Sequence, residues 1–168
     1  SSGVISNWAD RSGSSNNLTQ SSATQMPSYT VAAGKPSVSF DGTNDSLSKS
    51  LPAALSGNPS FTILIAAKAS ATSGRIFHFG SNAGTANQSL GLSAAGGFEY
   101  NAGSLSAFSN FSATPTTIGT FRRSSGSAQN KGEFYRNGEK LSLSAISATG
   151  TLALPTSASS LIIGKGIN

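Results

Sequence analysis

The chain has 168 residues, enough to bury one substantial hydrophobic core, and its length does not call for a second domain. It contains no cysteine, which excludes a disulfide framework, a thiolate metal site and a cysteine nucleophile. Only 10% of its residues are charged, against roughly 25% in ordinary soluble domains. No segment approaches the ~18 consecutive apolar residues of a membrane helix, so we expect no membrane insertion.

The first predicted element is a short strand at residues 4–8, which carries Trp8, the only tryptophan of the chain. A polar turn follows at residues 9–17, and Asp10 within it is expected to cap the turn rather than bind a metal. A lone tryptophan on such a strand is more often a core residue than a ligand platform. We therefore expect Trp8 to be structural.

A second strand-and-turn unit occupies residues 35–47. Val38 and Phe40 stand two apart, so they share one face of an extended segment, and Phe40 is expected to be structural. An Asp-Gly pair then supplies a turn, for which we expect a positive φ at Gly42. Leu47 begins the strand beyond the turn.

The strongest strand prediction is residues 61–68, where both faces are apolar, so we expect a central strand covered on both sides. Asn137-Gly138 separates two further strands and predicts a tight hairpin. Shorter strands are predicted at 76–79, 90–92, 98–100, 116–121, 133–136, 140–143 and 161–163, and loops at 81–89, 101–110 and 122–131. Repeated short strands without helical periodicity predict one all-β sandwich or barrel.

Two motifs and the hairpin resemble a known family. Residues 8–13 with Asn17 have the pattern W-x-D-x-S-G…N, residues 34–47 have G-K-P-x-V-x-F-D-G-x-x-D-x-L, and residues 135–138 have Y-x-N-G. In this order they resemble the laminin-G-like, or concanavalin A-like, domains of bacteria and phages. The resemblance implies an antiparallel two-sheet jelly-roll sandwich over residues 1–168.

The same resemblance implies a non-catalytic recognition or adhesion module at an extracellular surface or on a virion, with surface glycan as its partner. The alternative is a structural virion protein, such as a phage capsid decoration or fibre domain, that contacts neighbouring virion or surface proteins. The fold alone does not select between these functions. An exposed aromatic platform beside polar groups would favour the glycan binder, and a partly apolar docking face would favour the virion protein.

Terminal strands that such domains usually carry are not recognisable here, which predicts that the chain is part of a longer polypeptide. A shortened family member is the alternative. Open sheet edges tend to recruit other strands. We therefore expect residues 4–8 or 161–167 to lie beside a neighbouring chain or beside further parts of the same protein, and the protein to be oligomeric or part of a larger assembly.

The residue inventory argues against an enzyme. Glycan hydrolases of this fold carry closely spaced carboxylates on one strand, in an E-x-D-x-E pattern that places an acid and a nucleophile about 5 Å apart. None of the three glutamates has another carboxylate two positions away, and no Gly-x-Ser-x-Gly elbow is present. The single histidine, His78, lies in a predicted strand and is expected to be hydrogen-bonded or half-exposed rather than a ligand contact.

The formal net charge of +5 is concentrated in the last third of the chain, where six basic residues oppose two acidic ones. Such a face could attract an acidic polysaccharide, or it could be an ordinary solvated surface. It lacks the density and interleaved aromatic residues of a nucleic-acid site, so no nucleic acid partner is expected.

The candidate metal ligands are Asp41, Asn44 and Asp45. They offer three oxygen ligands within five residues, and backbone carbonyls could complete the six to eight oxygens that calcium takes. The spacing is not that of an EF-hand loop, and Asp41 could instead fasten the turn through its own side chain. No other cofactor is expected.

Overall fold

The structure is a computed structural model that describes residues 2–57, 59–68, 74–80, 87–92, 98–102, 105–109, 117–124, 132–142, 145–147 and 160–164. The strands, in chain order, are β1 (Ser2–Val4), β2 (Asn7–Trp8), β3 (Leu18–Thr19), β4 (Ser28–Ala32), β5 (Lys35–Ser39), β6 (Ser46–Ser50), β7 (Phe61–Ala67), β8 (Gly74–Gly80), β9 (Asn87–Leu92), β10 (Phe98–Ala102), β11 (Leu105–Ser109), β12 (Thr117–Arg123), β13 (Gly132–Arg136), β14 (Glu139–Lys140), β15 (Ala145–Ser147) and β16 (Ser160–Gly164). Two 3-10 turns, Ala23–Gln25 and Ala53–Leu55, complete the regular structure of this part of the chain.

The strands form three sheets in which every pairing is antiparallel. The largest has nine strands in the order β15-β11-β10-β9-β8-β16-β6-β3-β2, the second has the order β14-β13-β12-β7, and the third has the order β1-β4-β5. The described residues therefore confirm the all-β prediction.

The core lies between the two larger sheets. Leu18, Leu47, Leu51 and Leu161 are buried together on the nine-stranded sheet side, and Phe61 of the four-stranded sheet packs against them. The Phe61 ring also lies 5.8 Å from the Phe121 ring. Aromatic pairs at such centroid separations add to the energy of area burial, so Phe61 joins the aliphatic cluster to the aromatic interior of the second sheet. The architecture is that of a β-sandwich.

The Asn-Gly hairpin prediction is confirmed. Asn137 and Gly138 have φ angles of 51° and 89° and form a two-residue turn between β13 and β14. Positive φ at both central positions matches the right-handed twist of the flanking strands. The Asn137 side-chain oxygen also accepts a hydrogen bond from the Ile118 N–H at 3.1 Å, which ties the hairpin to β12.

The prediction of a strand at residues 61–68 is confirmed, but the expectation that both of its faces are covered is wrong. In the described part of the chain, β7 is the outermost strand of the four-stranded sheet, and its residues alternate between half-buried and exposed, with Leu64 70% exposed. Phe61, Ile63 and Ile65 supply the inward face. The apolar residues of the other face, which suggested a second covering layer, point to solvent instead.

The predicted loops are partly strands. Residues 101–110 contain the end of β10 and the whole of β11, which pair over five residues. Residues 87–89 belong to β9, and residues 122–123 belong to β12. Residues 81–86, 103–104, 110 and 125–131 of the predicted loops lie outside the described part of the chain, as do residue 116 of the strand predicted at 116–121 and residue 143 of the strand predicted at 140–143. Small and polar side chains conceal these strand segments, because Ser, Ala, Asn and Arg do not produce an apolar alternation.

The terminal segments differ from the expected open edges. β16 is inserted between β8 and β6 and is hydrogen-bonded on both sides, so the expectation of an open edge at residues 161–167 is wrong for residues 161–164, the part that the structure describes. Residues 165–167 are outside the described part. At the other end, β1 pairs with β4, while β2 pairs with β3 and is the outermost strand of the nine-stranded sheet. For residues 4–8, contact with a neighbouring chain stays a prediction.

Candidate functional site

Trp8 is exposed, which corrects the expectation that it is a core residue. Trp8 is 43% exposed and lies on β2, a strand of only two residues. It stands opposite Leu18 of β3, which is buried. Among the described residues, β2 is the outermost strand of its sheet. The chain thus holds an exposed aromatic residue at this edge, next to a strand that carries a core residue.

The segment between β2 and β3, residues 9–17, forms a loop organised by Asp10. Oδ1 of Asp10 accepts a hydrogen bond from the Ser12 N–H at 2.8 Å, and Oδ2 accepts from the Ser12 hydroxyl at 2.7 Å and from the Asn16 N–H at 2.8 Å. The Asp10 N–H in turn donates to Oδ1 of Asn17 at 2.8 Å. The predicted turn cap is confirmed, and it fixes both ends of the loop.

The loop is also fastened to the sheet. Nζ of Lys49, on β6, donates to Oδ1 of Asn16 at 2.8 Å. The pKa of Asp10 is lowered, first by the hydrogen bond from the Ser12 N–H and then by that from the Asn16 N–H. Both donors stabilise the ionised carboxylate. The loop beside Trp8 is therefore ordered by its own side chains.

This surface combines the groups that sugar recognition uses. An indole ring offers a flat apolar face that can cover the C–H face of a pyranose, together with one N–H donor. Arg11 and Asn17 are exposed in the loop that follows Trp8. Their amide and guanidinium groups can donate to sugar hydroxyls, and the amide oxygens can accept from them. We call Trp8 with residues 9–17 the Trp8 surface.

The three predicted calcium ligands lie together in the turn before β6. Oδ1 of Asp41 accepts the N–H groups of Thr43, Asn44 and Asp45 at 2.8, 3.1 and 3.2 Å. Oδ2 of Asp45 accepts the Asp41 N–H at 3.0 Å. These donors lower the pKa of Asp41, with the Thr43 N–H contributing most. The side chains therefore fasten the turn, as the alternative to calcium expected.

Calcium at this turn stays a prediction. Oδ1 of Asn44 is buried and has no hydrogen-bond partner among the residues that the structure describes. Among those same residues, no three His, Asp or Glu side chains are grouped closely enough to hold a metal ion. An ion bound here would need the second oxygens of the two aspartates, the Asn44 oxygen and backbone carbonyls.

The two remaining conformational predictions for this turn are confirmed. Gly42 has a φ of +76°, which favours glycine. Phe40 is half-buried, and its ring packs over Gly164 of β16, where a Cβ atom would overlap the Phe40 ring. Phe40 therefore has a structural contact that joins the turn to the end of β16.

His78 lies in the interior, and Asp10, Asp41 and Glu133 lie apart from one another in the described residues. His78 is 1% exposed within β8, so a bound ligand could not reach its ring, and the half-exposed alternative is wrong. Asp10 and Asp41 lie at opposite ends of β6, because the Asp10 loop contacts Lys49 and the Asp41 turn leads into Ser46. Glu133 lies on a different sheet, where it accepts from Lys140 and Tyr135.

The basic residues of the last third do not form the single solvated face that their charges suggested. Arg123 is 2% exposed and points to the inner side of β12, next to Phe121 in the alternation. Nζ of Lys140 lies 2.6 Å from Oε1 of Glu133, and this pair lowers the pKa of Glu133 and raises that of Lys140. Arg122 is exposed. Lys131 and Lys165 lie outside the described part.

A second exposed surface lies on the outer side of the four-stranded sheet. Leu64 is 70% exposed and Ile118 is 50% exposed, although both lie within regular strands. Thr120 stands beside Leu64 on the neighbouring strand, and Tyr135 stands beside Thr120. The result is a partly apolar sheet face. Sequence reasoning missed it because an outward leucine in an apolar strand has the same pattern as a buried one.

Comparisons with models of known protein families, with curated proteins and with solved structures found no match for this chain. In the described residues, no helix has the length and apolar character needed to cross a membrane.

Proposed function

We propose that the protein is a non-catalytic recognition or adhesion module that binds surface glycan through the Trp8 surface. The observation that carries the proposal is the 43% exposure of Trp8 at a sheet edge beside an ordered polar loop. An exposed indole ring offers a flat apolar face and one N–H donor, and stacking on a sugar ring would use both. The sandwich is proposed to be of the laminin-G-like jelly-roll type.

The order of the loop supports the proposal. A polar loop that is free in solution would lose conformational freedom on binding, and this loss weakens affinity. Here the bonds of Asp10 and the Lys49 contact hold residues 9–17 in one arrangement before any ligand arrives. The Trp8 ring and the neighbouring amides are therefore presented in a fixed relation.

The compartment follows from the proposed ligand. Polysaccharide partners are found at cell envelopes and on virions, so the protein is proposed to act at an extracellular surface or on a virion. The low content of charged residues, the many hydroxyl and amide side chains and the absence of cysteine are compatible with that setting.

The test is binding to a panel of immobilised neutral and acidic polysaccharides. Wild-type protein is compared with Trp8→Ala, with Trp8→Phe and with Val4→Ala, a more exposed apolar position outside the Trp8 surface. We expect Trp8→Ala to abolish binding, Trp8→Phe to retain part of it, and Val4→Ala to bind as the wild type does. Binding that is unchanged in Trp8→Ala, with all variants folded by circular dichroism, would contradict the proposal.

A second candidate function is supported by the outer face of the four-stranded sheet. A structural virion protein would need a partly apolar docking face, and Leu64 and Ile118 provide exposed apolar side chains on one. Under this alternative the protein would contact neighbouring virion or surface proteins. Loss of particle incorporation in Ile118→Glu, with glycan binding absent from the wild type, would favour the alternative.

A further inference from the structure

We propose that two copies of this chain pair through the edges of their β7 strands, in antiparallel register with Leu64 opposite Leu64 of the second copy. The proposal is independent of glycan binding. It rests on the position of β7, on its composition and on the exposure of Leu64.

β7 has the features of an unprotected edge. In the described part of the chain it is the last strand of its sheet, bonded to β12 on one side. Proteins usually protect such edges with charged residues, proline, bulges or very short strands. β7 has seven residues, pairs with β12 without a register shift, and contains neither a charge nor a proline. Its outward side chain at the centre, Leu64, is 70% exposed.

The composition of β7 favours a second copy as the partner. An antiparallel alignment over the whole strand has its centre at Leu64 and places Thr62 opposite Ala66 of the other chain. No charged side chain is then brought opposite another, whereas like charges in facing positions would oppose pairing. The Lys68 residues that follow the strands lie at opposite ends of the pair.

Two-fold pairing also limits the assembly. Each chain contributes one β7 edge, so an isologous contact through it closes at the dimer and does not continue into a fibre. The two four-stranded sheets would become one continuous eight-stranded sheet. Leu64 of each copy would then cover the other copy's leucine.

Cysteine crosslinking tests the register, because the chain has no native cysteine. In Leu64→Cys the two sulfur-bearing positions face each other across a strand pair, with Cβ atoms about 4.5–5.5 Å apart, close to the range that a disulfide spans. In Ile118→Cys, on the same sheet face but one strand further in, the two positions lie three strand spacings apart across the sheet and four residues apart along it, a separation of roughly 20 Å. Mild oxidation should give a covalent dimer with Leu64→Cys and none with Ile118→Cys. Equal yields, or no dimer from Leu64→Cys, would overturn the proposal.

Charge exchange gives a second test. Leu64→Lys and Leu64→Glu each place like charges opposite one another, so each should weaken the dimer by about tenfold or more in analytical ultracentrifugation. An equimolar mixture of the two folded variants should form a heterodimer, because the facing charges are then opposite. A wild type that is monomeric at all concentrations, or a mixture that stays monomeric while the wild type dimerises, would contradict this register.

Discussion

At the scale of single residues, two aspartates act as local scaffolds. Asp10 and Asp41 each accept backbone N–H groups from residues that follow them, and this fixes the loop that each one begins. Loops of Gly, Ser and Asn have high conformational entropy when free. A short carboxylate that gathers several N–H donors offsets part of that entropy and leaves the backbone polar groups paired.

These carboxylates predict a decline of stability in acid. The pKa values of Asp10 and Asp41 are lower in the folded protein than the ordinary value, so folding favours the ionised form. Their contribution to the free energy of unfolding is present above the ordinary carboxyl pKa of about 4 and is lost as the pH falls through the lowered folded values. Thermal unfolding followed by circular dichroism between about pH 7 and pH 2 should show this decline. The double variant Asp10→Asn, Asp41→Asn should unfold at lower temperature at neutral pH and decline less steeply. If the melting temperatures of the wild type and the double variant fall in parallel with pH, Asp10 and Asp41 are not the source of the decline.

The surroundings of Gly164 predict that a single methyl group added at this position will destabilise the fold. Its φ is +99°, and a Cβ atom would lie 2.6 Å from the Asp45 carbonyl oxygen and would overlap the Phe40 ring. Gly42 is the matched control, because its φ is +76° and a Cβ there would meet open space. Gly42→Ala should cost about 1–2 kcal/mol for the left-handed backbone. Gly164→Ala should cost about 1–3 kcal/mol more because of overpacking. Urea unfolding measures both, and equal costs would show that β16 moves away from Phe40 without strain.

At the scale of elements, the place of a strand in its sheet decides what its side chains do. β2 and β7 are the outermost strands in the described part of their sheets, and Trp8 and Leu64 on them are exposed. β16 lies between two strands, and Leu161 on it is buried. The face of the sheet matters as well, because Ile118 of the interior strand β12 is exposed on the outer face that also carries Leu64.

The turn before β6 has two candidate roles, hydrogen bonding that fastens its own backbone and calcium binding, and melting temperatures can separate them. Asp41→Ala should lower the melting temperature in calcium-free buffer, because three N–H groups lose their shared acceptor. A calcium site predicts in addition that calcium raises the melting temperature of the wild type by mass action. Asn44→Ala and Asp45→Asn should then remove that rise. If neither calcium nor a chelator changes the melting temperature, Asp41 and Asp45 only fasten the turn and do not bind calcium.

At the scale of the whole molecule, the sequence predicts where many of the strands occur along the chain, but it does not predict the place of each strand in its sheet. β7, β8, β12, β13 and β16 were predicted because large apolar residues recur in them, and the Asn137-Gly138 turn because its residues demand one geometry. β4, β11 and β15 were not predicted, since Ser, Ala and Thr dominate them. The exposure of Trp8 and the open edge of β7 depend on which distant segments pair, and residues close in sequence carry no signal for that order.

The fluorescence of Trp8 can show whether its ring is the platform on which a glycan ligand stacks. All tryptophan emission comes from Trp8, since the chain has no other tryptophan. Acrylamide should quench that emission readily in the free protein, and a polysaccharide retained by the immobilised panel should reduce the quenching as it covers the ring. Val4→Ala should behave as the wild type does. Binding of that polysaccharide with no change in Trp8 quenching would place the ligand elsewhere and contradict the account.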